Sequence, residues 1–365
     1  MSFPSFPADP QVRLPISRTK RATAAAFCAA AALGGFTSAP GGAEVPVGAA
    51  GVPYTNMPAL APIGVRPDRY LPIMESAKAP PIDPAKGYRL QQLGRGLFLV
   101  TENAYQSMFL VYETGVVVVD APPTYAKHLR AAIAEVTSLP VTHVVYSHSH
   151  IDHIGGVKEL GGQPILIAQE ETARLLTRAR DPNRPVPSVT FKDRYKLQVG
   201  TQRLELSYHG VAHEPGNIFI YAPEQRVLMV VDVVFPGWMP WRRLALAQDV
   251  PGYFDQVAEI DRVPFETLIG GHVSRVGTHA DVRLQLEFMA DLKSAAATAL
   301  KTTEIGREID PADKANPWAV FDNYIDRVVV QCVNTLTPKW QSRLAAYDVY
   351  IWDQCYAMEQ SLRID

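Results

Sequence analysis

The chain has 365 residues, 47% of them hydrophobic and 20% charged, the balance of a globular protein rather than a disordered one. Lysine and arginine total 35 against 37 aspartate and glutamate, so the net charge is −2 and no broad basic field exists to hold nucleic acid. The three cysteines are too few for a disulfide scaffold or a cysteine-rich zinc module.

Of the 30 prolines, 14 fall in the first 87 residues, so the start of the chain is expected to lie outside the regular fold. Arg13, Arg18, Lys20 and Arg21 form a basic cluster, and an alanine-rich apolar run over 22–34 follows it. Small residues then surround cleavage points near Ala39 and Ala43. This order is that of a secretory signal peptide, predicted over 1–43, which implies a periplasmic or secreted protein. The apolar run is too short to span a bilayer, so no stable membrane insertion is expected. Residues 44–87 read as a proline- and glycine-rich arm. With the leader removed, Cys332 and Cys355 are the remaining thiols, and an oxidising compartment favours pairing them.

From Tyr88 onward short apolar runs at 97–100, 108–112 and 116–119 predict consecutive strands. Tyr125, Leu129, Ile133 and Val136 recur at spacings of three and four, which predicts a helix over 124–138. Strands at 141–146 and 164–168 and a helix over 169–179 follow. A second series has strands at 195–199, 203–208, 218–221 and 227–231. It continues with a helix at 252–263, a strand at 267–269 and a long helix at 279–302. Two runs of strands, each followed by strand–helix units, predict an α/β fold of two sheets packed face to face with helices outside. The main domain is expected over 88–304, and a helical extension over 305–365.

The extension reads as helices at 318–334 and 338–362, with Thr337 as the N-cap of the second and Pro338 at its first position. A hairpin turning there sets Cys332 opposite a residue near 340, about 20 Å along the helix from Cys355. That boundary predicts two packed thiols rather than a bridge. Tyr347, Tyr350, Trp352 and Tyr356 supply aromatic surface for the core or for a second copy of the chain, a homodimer contact.

The densest chemistry lies just after the strand at 141–146, where His148, His150, Asp152 and His153 fall within six residues. Buried together, imidazoles repel when protonated and lack partners when neutral. A divalent cation resolves both, because neutral imidazole and carboxylate are good ligands for zinc-like ions. His148 and His150 can point to one ion, and Asp152 and His153 to a second. His213 sits in a turn between two strands, while Asp232 and His272 follow the buried strands at 227–231 and 267–269. Together these make seven candidate ligands.

A strand followed by His-X-His-X-Asp-His, with later His, Asp and His in that order, resembles the metallo-β-lactamase-fold superfamily over roughly residues 88–300. The resemblance implies a four-layer αβ/βα sandwich of two mixed sheets with outer helices. It implies two divalent metal ions, zinc foremost and manganese, iron or cobalt as alternatives. His148, His150 and His213 would hold one ion, Asp152, His153 and His272 the other, and Asp232 would bridge them. Asp120 matches the family's first motif, where an aspartate supports the metal loop. The ligand set is nearest to the lactonase and glyoxalase II branch.

The chemistry expected is hydrolysis, with metal-activated hydroxide attacking the carbonyl of a lactone or ester and Asp152 orienting it and taking its proton. Alternatives on the same fold are a β-lactam hydrolase and an iron-dependent oxidoreductase. Tyr105, Met108, Phe235, Trp238 and Trp241 are candidates for an apolar wall around a small-molecule substrate.

Overall fold

The computed structural model describes residues 70–365, apart from 274, 308, 310 and 312. The expected signal peptide and most of the arm lie outside the described residues. From residue 70 the arm runs over the body, with Leu71 N–H donating to Asp348 and Trp238 Nε1 donating to the Ala77 carbonyl.

Twelve strands among the described residues form two sheets. The first has the order β1-β2-β3-β4-β5-β6-β7, comprising Arg89–Gly94, Leu97–Thr101, Gln106–Tyr112, Gly115–Val119, Val141–Val145, Ile165–Gln169 and Val189–Phe191. β1 to β4 pair antiparallel, and β4 to β7 pair parallel. The second has the order β12-β11-β10-β9-β8, with β8 Arg194–Val199, β9 Gln202–Tyr208, β10 Ile218–Ala222, β11 Val227–Met229 and β12 Thr267–Ile269. Only β11 and β12 are parallel there.

The strands at the centre are nearly continuous apolar runs because they are covered on both faces. Leu99, Met108, Val117, Val119 and Val145 of the first sheet meet Leu204, Ile218, Ile220 and Met229 of the second in one core. On the outer face of the first sheet, Leu129 and Ile133 of α1 (Ala126–Val136), with Tyr125 just before it, pack on Phe109, Val118 and Val144. Ile154 of α2 (Ile151–Ile154) and Leu176 of α3 (Glu170–Ala179) join the same cluster. The second sheet is covered by α5 (Val250–Ile260) and α6 (His279–Thr302). The result is the helix–sheet–sheet–helix sandwich expected of the sequence, with a C-terminal helical pair.

That pair corrects one expectation. α7 spans Pro317–Trp340 and α8 spans Tyr347–Ile364, so the turn falls after Trp340 rather than at 335–337. Pro338 lies inside the last turn of α7, where it has no N–H to give the Asn334 carbonyl, and the helix ends two residues later. The hairpin is then centred between Cys332 and Cys355, which face each other with Cα atoms 6.0 Å apart and form a disulfide. Two strands escaped the sequence reading, β1 and β7, both at sheet edges. Both C-terminal helices pack into the core around α6, with Val328, Cys332, Leu336, Trp340, Ile351 and Met358 beside Phe288 and Leu292. Among the described residues no helix is long and apolar enough to cross a membrane.

α4 (Arg242–Leu246) is an unusual element. Arg243, Leu244, Ala245 and Leu246 all have φ between 52° and 57°, one turn of left-handed helix without a glycine. Each such residue costs roughly 1–2 kcal/mol, so the surrounding structure must hold the turn in place.

Candidate metal centre

The parallel strand pairs deliver the site. β4 and β5 end side by side in the first sheet, and β11 and β12 in the second. Asp120 follows β4, Ser147 to His153 follow β5, Asp232 follows β11 and His272 follows β12; His213 comes from the β9–β10 connection. Asp120 and Asp232 both sit at positive φ, 59° and 64°, which turns each chain sharply and aims the carboxylate inward.

All seven residues singled out in the sequence meet there. His148, His150, His213 and Asp232 bring their ligand atoms within 4.8 Å of one another, as do Asp152, His153 and His272. Asp232 joins the groups: its Oδ2 lies 3.5 Å from His148 Nε2, 3.2 Å from His213 Nε2 and 3.3 Å from His153 Nε2. Its Oδ1 lies 3.1 Å from His272 Nε2. His150 Nδ1 is 3.0 Å from His213 Nε2, and His153 Nε2 is 3.1 Å from His272 Nε2. Asp152 stands at the mouth, its side chain 40% exposed and Oδ2 3.7 and 3.8 Å from His153 and His272 Nε2.

The far side of most rings is fastened. His213 Nδ1 donates to the Ala245 carbonyl at 2.5 Å, and His272 Nδ1 to the Ala104 carbonyl at 3.2 Å. His148 Nδ1 pairs with Ser147 Oγ at 2.9 Å. These bonds leave Nε2 of each ring facing inward with a lone pair, the usual way a protein orients metal-binding histidines. Asp120 accepts from Ser147 N–H at 2.8 Å and so holds the start of the histidine loop, the support that the resemblance implied.

Electrostatics favour cations. Burial, with His150, His153 and His213 adding to it, holds His148 well below the usual imidazole range, so the ring is neutral. Burial also pushes His213 down. Burial opposes the charge on Asp232, but His153, His272 and His213 outweigh it and keep the carboxyl well below its usual range. Burial would lower His153 too; Asp232, Asp120 and Asp152 override it and push the ring up to about 9. Among the described residues, buried His148 Nε2 has no hydrogen-bond partner. A neutral imidazole aimed at an ionised carboxylate, with no proton between them, fits a cation.

Of the proposed substrate wall, Tyr105 reaches the centre. Its ring lies 5.6 Å from that of His153 and 4.6 Å from that of His272. Burial, then the charge of Asp152, pushes its phenol up to about 12, so it remains a neutral donor near Asp152. Phe235 stacks near His272, with ring centroids 6.3 Å apart. Trp238 is half-buried and held by the arm, and Trp241 is exposed at the start of the left-handed turn. Met108, expected in the same wall, instead lies fully buried between the two sheets.

Three residues of the site were not singled out as functional. Glu214 accepts from Ser149 N–H at 3.0 Å and from its hydroxyl at 2.6 Å, pinning the loop between His148 and His150. Arg184 donates to the Ser149 carbonyl at 2.7 Å. Gln354 holds the turn that carries Ala245. Glu214 adjoins a candidate ligand, which is a signal; the other two lie far off in sequence and give none.

Among curated proteins, the chain is 28% identical over 180 residues to 2,4-dinitroanisole O-demethylase subunit alpha of Nocardioides sp., covering 43% of this chain and 55% of that protein. The chain thus spans about half the length of that relative. It is 23% identical over 272 residues to an acyl-coenzyme A thioesterase of Bos taurus, covering 59% of this chain and 96% of that protein. A metallo-beta-lactamase from Pontibacter korlensis superposes with a TM-score of 0.49 at 20% identity, covering 56% of this chain and 99% of that one. Residues 100–297, more than half of the sequence, match the metallo-beta-lactamase superfamily, and the chain belongs to that family.

Proposed function

We propose that the protein is a dinuclear metal-dependent hydrolase acting on the carbonyl of a lactone, ester or thioester with an apolar portion. The observation that carries this is Asp232, whose carboxylate lies 3.1 to 3.5 Å from four imidazoles drawn from both ligand groups. A carboxylate so placed suits two cations sharing one anion. Two bound ions supply Lewis acidity and a water acidified to near neutral pH. Five imidazoles and two carboxylates favour zinc. Asp152, open to solvent on one side, would orient the attacking water and take its proton. Tyr105 adds a neutral hydroxyl beside Asp152, ready to donate to a substrate oxygen. Phe235 and Trp238 give the apolar side of the entrance. The thioesterase relative supports acyl cleavage; the demethylase relative makes an aryl methyl ether worth testing.

The deciding experiment is metal analysis of the purified full chain, then assay on lactones, aryl esters, acyl thioesters, β-lactams, phosphodiesters and 2,4-dinitroanisole. Two metal equivalents and chelator-sensitive cleavage of the carbonyl substrates are expected. Cleavage that survives exhaustive chelation with no metal detected sinks the proposal. We also propose export to an oxidising compartment, which the Cys332–Cys355 bridge supports, since such bonds persist there. Fractionation of the native host tests it, and a cytoplasmic protein overturns it.

A further inference from the structure

Four consecutive left-handed residues need a clamp, and the C-terminal helix provides one. Gln354 on α8 is completely buried, and both ends of its amide are spent on the turn. Its Oε1 accepts from the Leu244 N–H at 2.6 Å, and its Nε2 donates to the carbonyls of Pro240 at 2.5 Å and Trp241 at 3.1 Å. Two flanking contacts follow the same seam: Arg242 pairs with Asp353 at 3.1 Å, and the Arg243 guanidinium lies 5.5 Å from the Tyr356 ring.

The turn in its place carries the Ala245 carbonyl that accepts His213 Nδ1–H at 2.5 Å. That bond fixes which ring nitrogen is protonated and leaves Nε2 facing His150 and Asp232 at 3.0 and 3.2 Å. Beyond the turn, Gln248 N–H bonds the Ala212 carbonyl at 2.8 Å, so the two segments stay together even if the turn relaxes. What relaxation would move is the carbonyl under His213.

We propose that Gln354 is a positioning residue for the metal centre. Through the left-handed turn it sets the ring plane and tautomer of His213, which makes the C-terminal helices part of the site rather than an appendage. The inference rests on the reading of His213 as a metal ligand. An apolar side chain of similar size would fill the same space in α8, but it would leave one N–H and two carbonyls of the turn without Gln354.

The test compares zinc affinity, measured by competition with a chromophoric chelator, and the visible spectrum of the cobalt-loaded protein. Gln354→Leu should weaken one of two zinc equivalents by about 10- to 100-fold, the range for outer partners of metal ligands, and alter the cobalt bands. Met358→Ala, which opens a cavity one helical turn further along α8 and leaves the Gln354 amide in place, should keep both affinities and the spectrum. Ala245→Gly added to Gln354→Leu should recover part of the loss, because glycine takes the left-handed conformation at little cost. If Gln354→Leu does not fold, Gln354→Glu gives the same reading, since it keeps an acceptor for Leu244 and loses both donors. Wild-type affinity and spectrum in the Gln354 variant overturn the proposal, as does an equal loss in Met358→Ala or no recovery with Ala245→Gly. A wild-type chain that binds no zinc overturns the metal-centre reading itself.

Discussion

Glu214 spends both carboxylate oxygens on Ser149 and none on an imidazole at hydrogen-bond distance, with His150 Nε2 3.7 Å away. Its effect is therefore on the loop that separates two ligands. Glu214→Ala should weaken metal binding by about 10- to 100-fold, read by zinc competition, while the chain still folds. Asp232→Ala removes the anion common to both groups and should leave no more than one tightly bound metal, read by elemental analysis. Far from the centre, Asp326 on α7 has a pKa raised to about 6 by burial and by the neighbouring charge of Asp322. The folded chain thus holds that proton more tightly than the unfolded chain does. The contribution to stability is present below the unfolded value of 3.8 and is lost as pH rises through about 6. Asp326→Asn should stabilise the protein at neutral pH by roughly 1 kcal/mol after discounting for solvent screening, seen as a higher melting temperature, with the gain fading toward pH 4.

At the scale of elements, the C-terminal hairpin is where sequence and structure part. Thr337-Pro338 has the form of a helix start, yet Thr337 Oγ1 donates to the Val333 carbonyl at 2.7 Å inside a helix that continues to Trp340. The true start of α8 is preceded by Ala346 in left-handed conformation with no capping side chain, so nothing marks it. β1, Arg-Leu-Gln-Gln-Leu-Gly, is half-buried and polar, and β7 has three residues; neither has the apolar run that exposes a central strand. The candidate metal residues were legible for the opposite reason, since a cluster of imidazoles has no packing explanation. Gln354 was not, because a glutamine on an amphipathic helix looks like surface until its partners are known. The bridge closes a loop of 23 residues' separation, so losing it should cost about 3 kcal/mol on loop entropy alone. Cys332→Ser with Cys355→Ser should show that loss in a denaturant titration. Thiol titration of the unreduced, denatured Cys28→Ser chain should find no free thiol.

For the whole molecule, the core beneath the second sheet is built jointly by α5, α6, α7 and α8. A chain ending after Thr302 would expose the apolar face of α6, including Phe288 and Leu292, and should be insoluble or unfolded. The centre draws on residues from Asp120 to His272, and its clamp and bridge come later still, at Gln354 and Cys355. A ribosome releases these in order, so no partial chain can present the complete set. With its core built from helices on both sides of the sheets, the chain is expected to fold without metal, unlike a zinc finger that folds around its ion. The metal-free protein should therefore keep its circular dichroism in excess chelator.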